Sequence, residues 1–131
     1  MQRVFRWTLV LVTAFWAGCG GGGNPYGGSP TGETSGVNGC STFEDHTAEA
    51  STAITPWDTS LGTKCVKIKL GHTVTWASSG AHPLEPKGGD ASNPIPLTAS
   101  PATVTFSTAG TFGFDCTVHH SSMQGAVQVL P

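Results

Sequence analysis

Between Cys116 and Met123 the chain reads Cys116-Thr-Val-His119-His120-Ser-Ser-Met123, so that a thiol, imidazoles and a thioether fall within eight positions. Soft sulfur ligands beside imidazole point to a transition metal. One thiolate and two imidazoles with a weak axial thioether form a copper geometry that uses Met beside Cys and His. Structural zinc wants four strong ligands in a closed tetrahedron, and a thioether is a poor fourth. Copper suits the set better. If Cys116, one of the adjacent histidines and Met123 contribute, one imidazole is still lacking. His82 is the best supplier, because it lies in the Gly/Ser/Pro-rich segment Ala77-Ser-Ser-Gly-Ala-His-Pro-Leu84, just after a strand-like run. A loop at a strand end can reach a distant loop.

Strands must position these groups, since helical periodicity is nearly absent. Cys65-Val-Lys-Ile-Lys-Leu70 alternates apolar and charged residues, which predicts a half-buried strand with Val66, Ile68 and Leu70 on one side. Gly71-His72 makes the turn into Thr73-Val-Thr-Trp76, where Val74 and Trp76 are the inward pair. The segment from Ala77 to Ser100, with its prolines and glycines, reads as loop with at most short edge pieces. Ala102–Phe106 and Thr111–Asp115 are further strands. Phe112, Phe114 and Cys116 share a face by period two, which sets the thiol at the inner end of a strand under aromatic cover. Ala126–Leu130 closes the domain. Thr42–Asp45 and Ala53–Thr55 are weaker strand candidates, and Thr47–Ser51 a short turn of helix. The expected fold class is all-β, a Greek-key β-sandwich.

In this order the residues Gly71-His-Thr-Val-Thr-Trp76, His82, Gly110-Thr-Phe-Gly-Phe-Asp-Cys116, the His and Met, and Gly125-Ala-Val-Gln-Val129 resemble the cupredoxins, the small blue-copper proteins of the plastocyanin and azurin type. The resemblance runs over roughly Cys40 to Pro131. It implies one copper ion cycling between Cu(I) and Cu(II), held by His82, Cys116, His119 and Met123. His120 is the alternative imidazole. His119 and Met123 are separated by three residues where plastocyanin-like proteins usually have two or four, while His120 and Met123 have the familiar two. The family often carries a polar residue after the first His. Here Pro83 stands in that place and offers no backbone N–H.

At 131 residues there is room for one domain, and its opening segment reads as something else. Arg3 and Arg6 precede an apolar run from Trp7 to Trp16, then Ala17-Gly18 and Cys19, which is the pattern of a secretory signal peptide over 1–18. Trp16-Ala-Gly-Cys19 resembles a bacterial lipoprotein cleavage site, with Cys19 as the lipidated residue. Ordinary cleavage, releasing a periplasmic or secreted protein, is the alternative. Residues 19–39 are rich in Gly, Ser, Thr, Asn and Pro and cannot bury enough surface to order themselves. They read as a tether with a root-mean-square reach of roughly 25 Å, which leaves 40–131 as the copper-binding domain of an envelope lipoprotein.

Without the signal segment, four basic residues (Lys64, Lys67, Lys69, Lys87) face eight acidic ones, a net charge of about −4. No basic cluster for nucleic acid remains. Lys64, Lys67 and Lys69 read as a solvated face or a guard on an edge strand. Cys19 belongs to the export signal and Cys116 to the metal motif, so Cys40 and Cys65 are left as a disulfide pair in an oxidising compartment, with free buried thiols as the alternative. His46 and His72 fall outside the metal pattern and read as surface histidines. No His-x-His occurs and Asp115 and Thr117 flank Cys116, so the wiring of a second, catalytic copper is missing. A nucleophile elbow and a phosphate-binding Gly loop are also lacking. Taken with these features, the resemblance implies a monomeric one-electron carrier serving redox partner proteins at the periplasmic side of a membrane, not an enzyme. The runner-up is a copper-delivery protein without redox traffic, and a more distant reading is an adhesive module.

Overall fold

The computed structural model describes residues 36–131. The signal segment expected over 1–18, the lipidation site Cys19 and most of the tether expected over 19–39 lie outside the described residues.

Eight strands follow in chain order: β1 (Glu44–Asp45), β2 (Ser51–Ile54), β3 (Gly62–Lys69), β4 (Thr73–Trp76), β5 (Leu84–Gly89), β6 (Ala102–Thr105), β7 (Gly110–Cys116) and β8 (Met123–Leu130). They make a five-stranded sheet in the order β1-β3-β8-β7-β5 and a three-stranded sheet in the order β2-β4-β6. Both sheets are mixed. β3 runs parallel to β1 and β8, whereas β7 is antiparallel to β8 and β5; β4 is parallel to β2 and antiparallel to β6. The class is all-β, as the alternating runs of the sequence predict.

Alternation explains the core. Val66 and Ile68 of β3, Val74 and Trp76 of β4, Val104 of β6 and Phe112, Phe114 and Cys116 of β7 all turn inward and are buried, joined by Val127 and Val129 of β8. Trp76 meets Phe114 edge-on with ring centroids 5.3 Å apart, and Phe106 lies 5.7 Å from Phe112, geometries that aromatic quadrupoles favour. Leu70 departs from the expected pattern: β3 ends at Lys69, and the side chain one residue on is 45% exposed.

Three further expectations are corrected. Thr47–Ser51 is no helical turn; Glu49 N–H donates to His46 O at 3.1 Å in a hydrogen-bonded turn, and β2 already begins at Ser51. The segment from Ala77 to Ser100 contains a six-residue strand, β5, which pairs with β7 and carries Pro86 within it. Proline is tolerated there because β5 is the edge of its sheet, and the register shifts between Pro86 and Gly89. The closing strand starts at Met123, not Ala126.

The described residues also include a turn before Cys40. Val37–Gly39 forms a single 3-10 turn in which Asn38 has φ 50 and ψ 41, a left-handed conformation that Asn tolerates better than most residues. Its Nδ2 reaches the carbonyls of Lys87 (2.8 Å), Phe114 (3.0 Å) and Gly125 (3.1 Å), one on each of β5, β7 and β8. The turn covers the outer face of the sheet, and the β7 residue beneath it is Gly113, where a Cβ would stand 2.0 Å from Lys87 O and 2.6 Å from Val37 Cγ1. Cys40 then closes the disulfide to Cys65 on β3, with Cα atoms 5.6 Å apart. The lysines of β3 are not an edge guard, since β3 lies between β1 and β8. Lys64 pairs with Glu44 and Lys67 with Asp45 across the β1 register.

Candidate metal centre

Cys116 is the last residue of β7 and is wholly buried, the one free thiol among the described residues. Its cross-strand partner is Leu84, the first residue of β5. That pairing brings the loop before β5 to the end of β7. The loop is held in place at several points. His82 N–H donates to Ser79 O at 2.8 Å, Trp57 Nε1 donates to His82 O at 2.7 Å, and Leu84 and Thr98 exchange two backbone hydrogen bonds at 2.8 and 2.9 Å. Pro83 has no N–H to give, but its carbonyl accepts from Thr117 N at 3.1 Å. The His82 loop is thereby tied to the residue that follows Cys116.

From Cys116 the chain turns at Thr117–His119 into a single 3-10 turn, His120–Ser122, closed by Ser122 N–H donating to His119 O at 2.8 Å. The turn directs the two adjacent imidazoles to different places. His119 Nδ1 lies 3.1 Å from His82 Nδ1 and 3.6 Å from Cys116 Sγ, and the two imidazole centroids are 4.8 Å apart. One donor atom each from His82, Cys116 and His119 falls within 4.8 Å of the others. Two imidazoles facing through Nδ1 can share only one proton between those nitrogens while both rings are neutral, and a neutral imidazole nitrogen without its proton is a metal ligand. A thiol and two such nitrogens converging on a half-buried point fit a copper ion. Met123, at the start of β8, is fully buried beside the end of this loop.

His120, the alternative imidazole of the sequence reading, stands apart from this group. Its side chain is 58% exposed and its Nδ1 lies 3.1 Å from Asp115 Oδ2 and 3.9 Å from Glu85 Oε1. The left-handed backbone at His120, φ 28, accompanies that reversal of direction. Asp115 points away from Cys116 on β7, yet it is only 2% exposed. Burial of the outward side of β7 is the feature that alternation alone misses. The signal for it was the Gly113-Phe-Asp115 run, where the outward positions are a glycine and a short acid. The Glu85 carboxyl is held above its ordinary range, first by a side-chain hydrogen bond with Asp115 and then by burial and the like charge of that neighbour.

The other two histidines are not simple surface groups. His46 is largely covered and lies between Glu44 (3.2 Å) and Glu49 (3.0 Å), and His72 has a buried Nδ1 without a hydrogen-bond partner.

Comparison with known proteins gives structural likenesses only. No family model and no curated protein matches the chain. Among solved structures it is similar to a Cu(I) form of an amicyanin variant, at 24% identity over 65% of this chain and 87% of that one, with a TM-score of 0.40. A reduced amicyanin variant matches at 26% identity over 61% and 80%, TM-score 0.38. An oxidised variant matches at 30% identity over 49% and 67%, TM-score 0.34.

Proposed function

We propose that this chain is a type 1 copper protein that carries single electrons between partner proteins at the cell envelope. The observation that carries the reading is the convergence of one donor atom each from His82, Cys116 and His119 within 4.8 Å at the end of the β5–β7 strand pair. Met123, buried at the start of β8, would add a thioether to the set. A copper ion in such a set supplies a one-electron couple, Cu(I) to Cu(II), with a thiolate–metal bond that both states tolerate. The protein's part is to keep the three donors where they are. β5 and β7 fix His82 and Cys116 through the Leu84–Cys116 register, and the Trp57 and Thr117 hydrogen bonds hold the intervening backbone. Little reorganisation then accompanies each transfer. His119 and His82 are only partly covered, while the sulfur is sealed, so an imidazole edge is the port for electrons.

The signal pattern over 1–18, Cys19 and the Gly-rich tether support export and a lipid anchor that leaves the domain free to meet soluble redox partners as a monomer. The copper-loaded protein is expected to absorb intensely in the red and to show a small copper hyperfine splitting, because both signatures come from a short copper–thiolate bond. Cys116→Ser is expected to abolish both. Met123→Leu should keep the colour and raise the potential, since a donor that favours Cu(II) is lost. Colourless copper binding with rapid release to chelators and no reversible voltammetry would instead mark a delivery protein.

A further inference from the structure

Leu84 and Cys116 face the core, so their neighbours Glu85 and Asp115, also paired across β5 and β7, face the outer side of the sheet. His120 folds back onto the same side. We propose that Glu85, Asp115 and His120 form a second metal site, which takes a divalent transition metal ion of borderline softness such as zinc.

One donor atom from each of the three lies within 4.8 Å of the others. This is more than an exposed acidic cluster. The Asp115 side chain is 3% exposed, one oxygen meets His120 Nδ1 at 3.1 Å, and the other, Oδ1, is buried with no hydrogen-bond partner. A buried carboxylate oxygen left unpaired is costly. Its nearest carboxyl neighbour, Glu85, can hydrogen-bond to Asp115 only when it is protonated and repels it when ionised. Lys87 Nζ, 3.9 Å from Glu85 Oε1 and itself more than half exposed, offsets that charge only from outside. A divalent cation between the three groups satisfies the unpaired oxygen and removes the repulsion together. One imidazole and two carboxylates match zinc and its neighbours, offer no sulfur for Cu(I), and supply too few oxygens for calcium. The exposed side of His120 leaves positions open to solvent. None of these donors belongs to the His82, Cys116 and His119 group, so the site stands whatever that group binds.

The test uses the full chain in two forms. In a Cys116→Ser background, Zn2+ alone is titrated calorimetrically. One equivalent is expected, with affinity falling at least about tenfold on adding Glu85→Gln and again on adding His120→Ala, both partly exposed changes that keep the fold, and losses of that order already follow from disturbing a mere outer partner of a metal. In the wild-type chain, Co2+ alone should bind at two equivalents, of which one gives a thiolate charge-transfer band and the other does not. Glu85→Gln should remove the second only. Zinc binding indifferent to both substitutions, or a single cobalt equivalent in the wild type that carries the charge-transfer band, would overturn the proposal; a single equivalent without the band that Glu85→Gln removes would uphold it while sinking the thiolate centre.

Discussion

Two adjacent histidines of one type end in different chemistry because three residues intervene between Cys116 and His120 but only two between Cys116 and His119. The shorter spacing lets His119 close on the sulfur from within one tight turn, 3.6 Å away, while the next residue enters the 3-10 turn and its ring passes to Asp115. If His119 is a ligand as proposed, His119→Ala is expected to bleach the copper-loaded protein and weaken metal binding by at least about tenfold, more than the loss of an outer partner would. His120→Ala should leave the colour in place. Absorption spectra of the two variants loaded in parallel decide this, and bleaching by the His120 change alone would reverse the assignment.

At the scale of elements, much of the site's support could be read from the chain, and the rest could not for definite reasons. The period-two pattern of Thr111–Cys116 foretold the buried sulfur and its aromatic cover, and Thr73–Trp76 is a strand over the residues expected. β5 was hidden because proline and two glycines mask an edge strand, although Leu84 opposite Cys116 is what brings His82 to the sulfur. The turn at Val37–Gly39 was hidden for another reason: composition assigns Gly-Val-Asn-Gly to a tether, but a single Asn side chain reaching three strands is a tertiary interaction that local sequence does not announce. That turn is expected to matter. Asn38→Ala leaves the carbonyls of Lys87, Phe114 and Gly125 short of a donor and should cost about 1–3 kcal/mol. Gly113→Ala should cost a similar amount, roughly 1–3 kcal/mol, by overpacking against Lys87 O. Urea unfolding of the copper-free protein measures both, and an unchanged midpoint for Asn38→Ala would mean the turn is merely laid on the sheet.

The described residues form a small domain in which the candidate site and the disulfide sit on different strand pairs. The proposed donors lie at the end of β7, at the start of β8 and in the loops before β5 and after β7, whereas the Cys40–Cys65 disulfide joins the segment before β1 to β3 at the position paired with Ala126. Such a domain buries a modest core, and a cross-link that closes a loop of this length stabilises it chiefly by restricting the unfolded chain. The bond therefore supports the fold without shaping the donor set. Replacing both cysteines with Ala is expected to lower unfolding free energy by roughly 3 kcal/mol while the spectrum of the copper-loaded protein stays as it was. The two readouts are separable: a urea midpoint that does not move would remove the disulfide from the stability argument, and a changed spectrum would show that strain from β3 reaches the metal centre through β8.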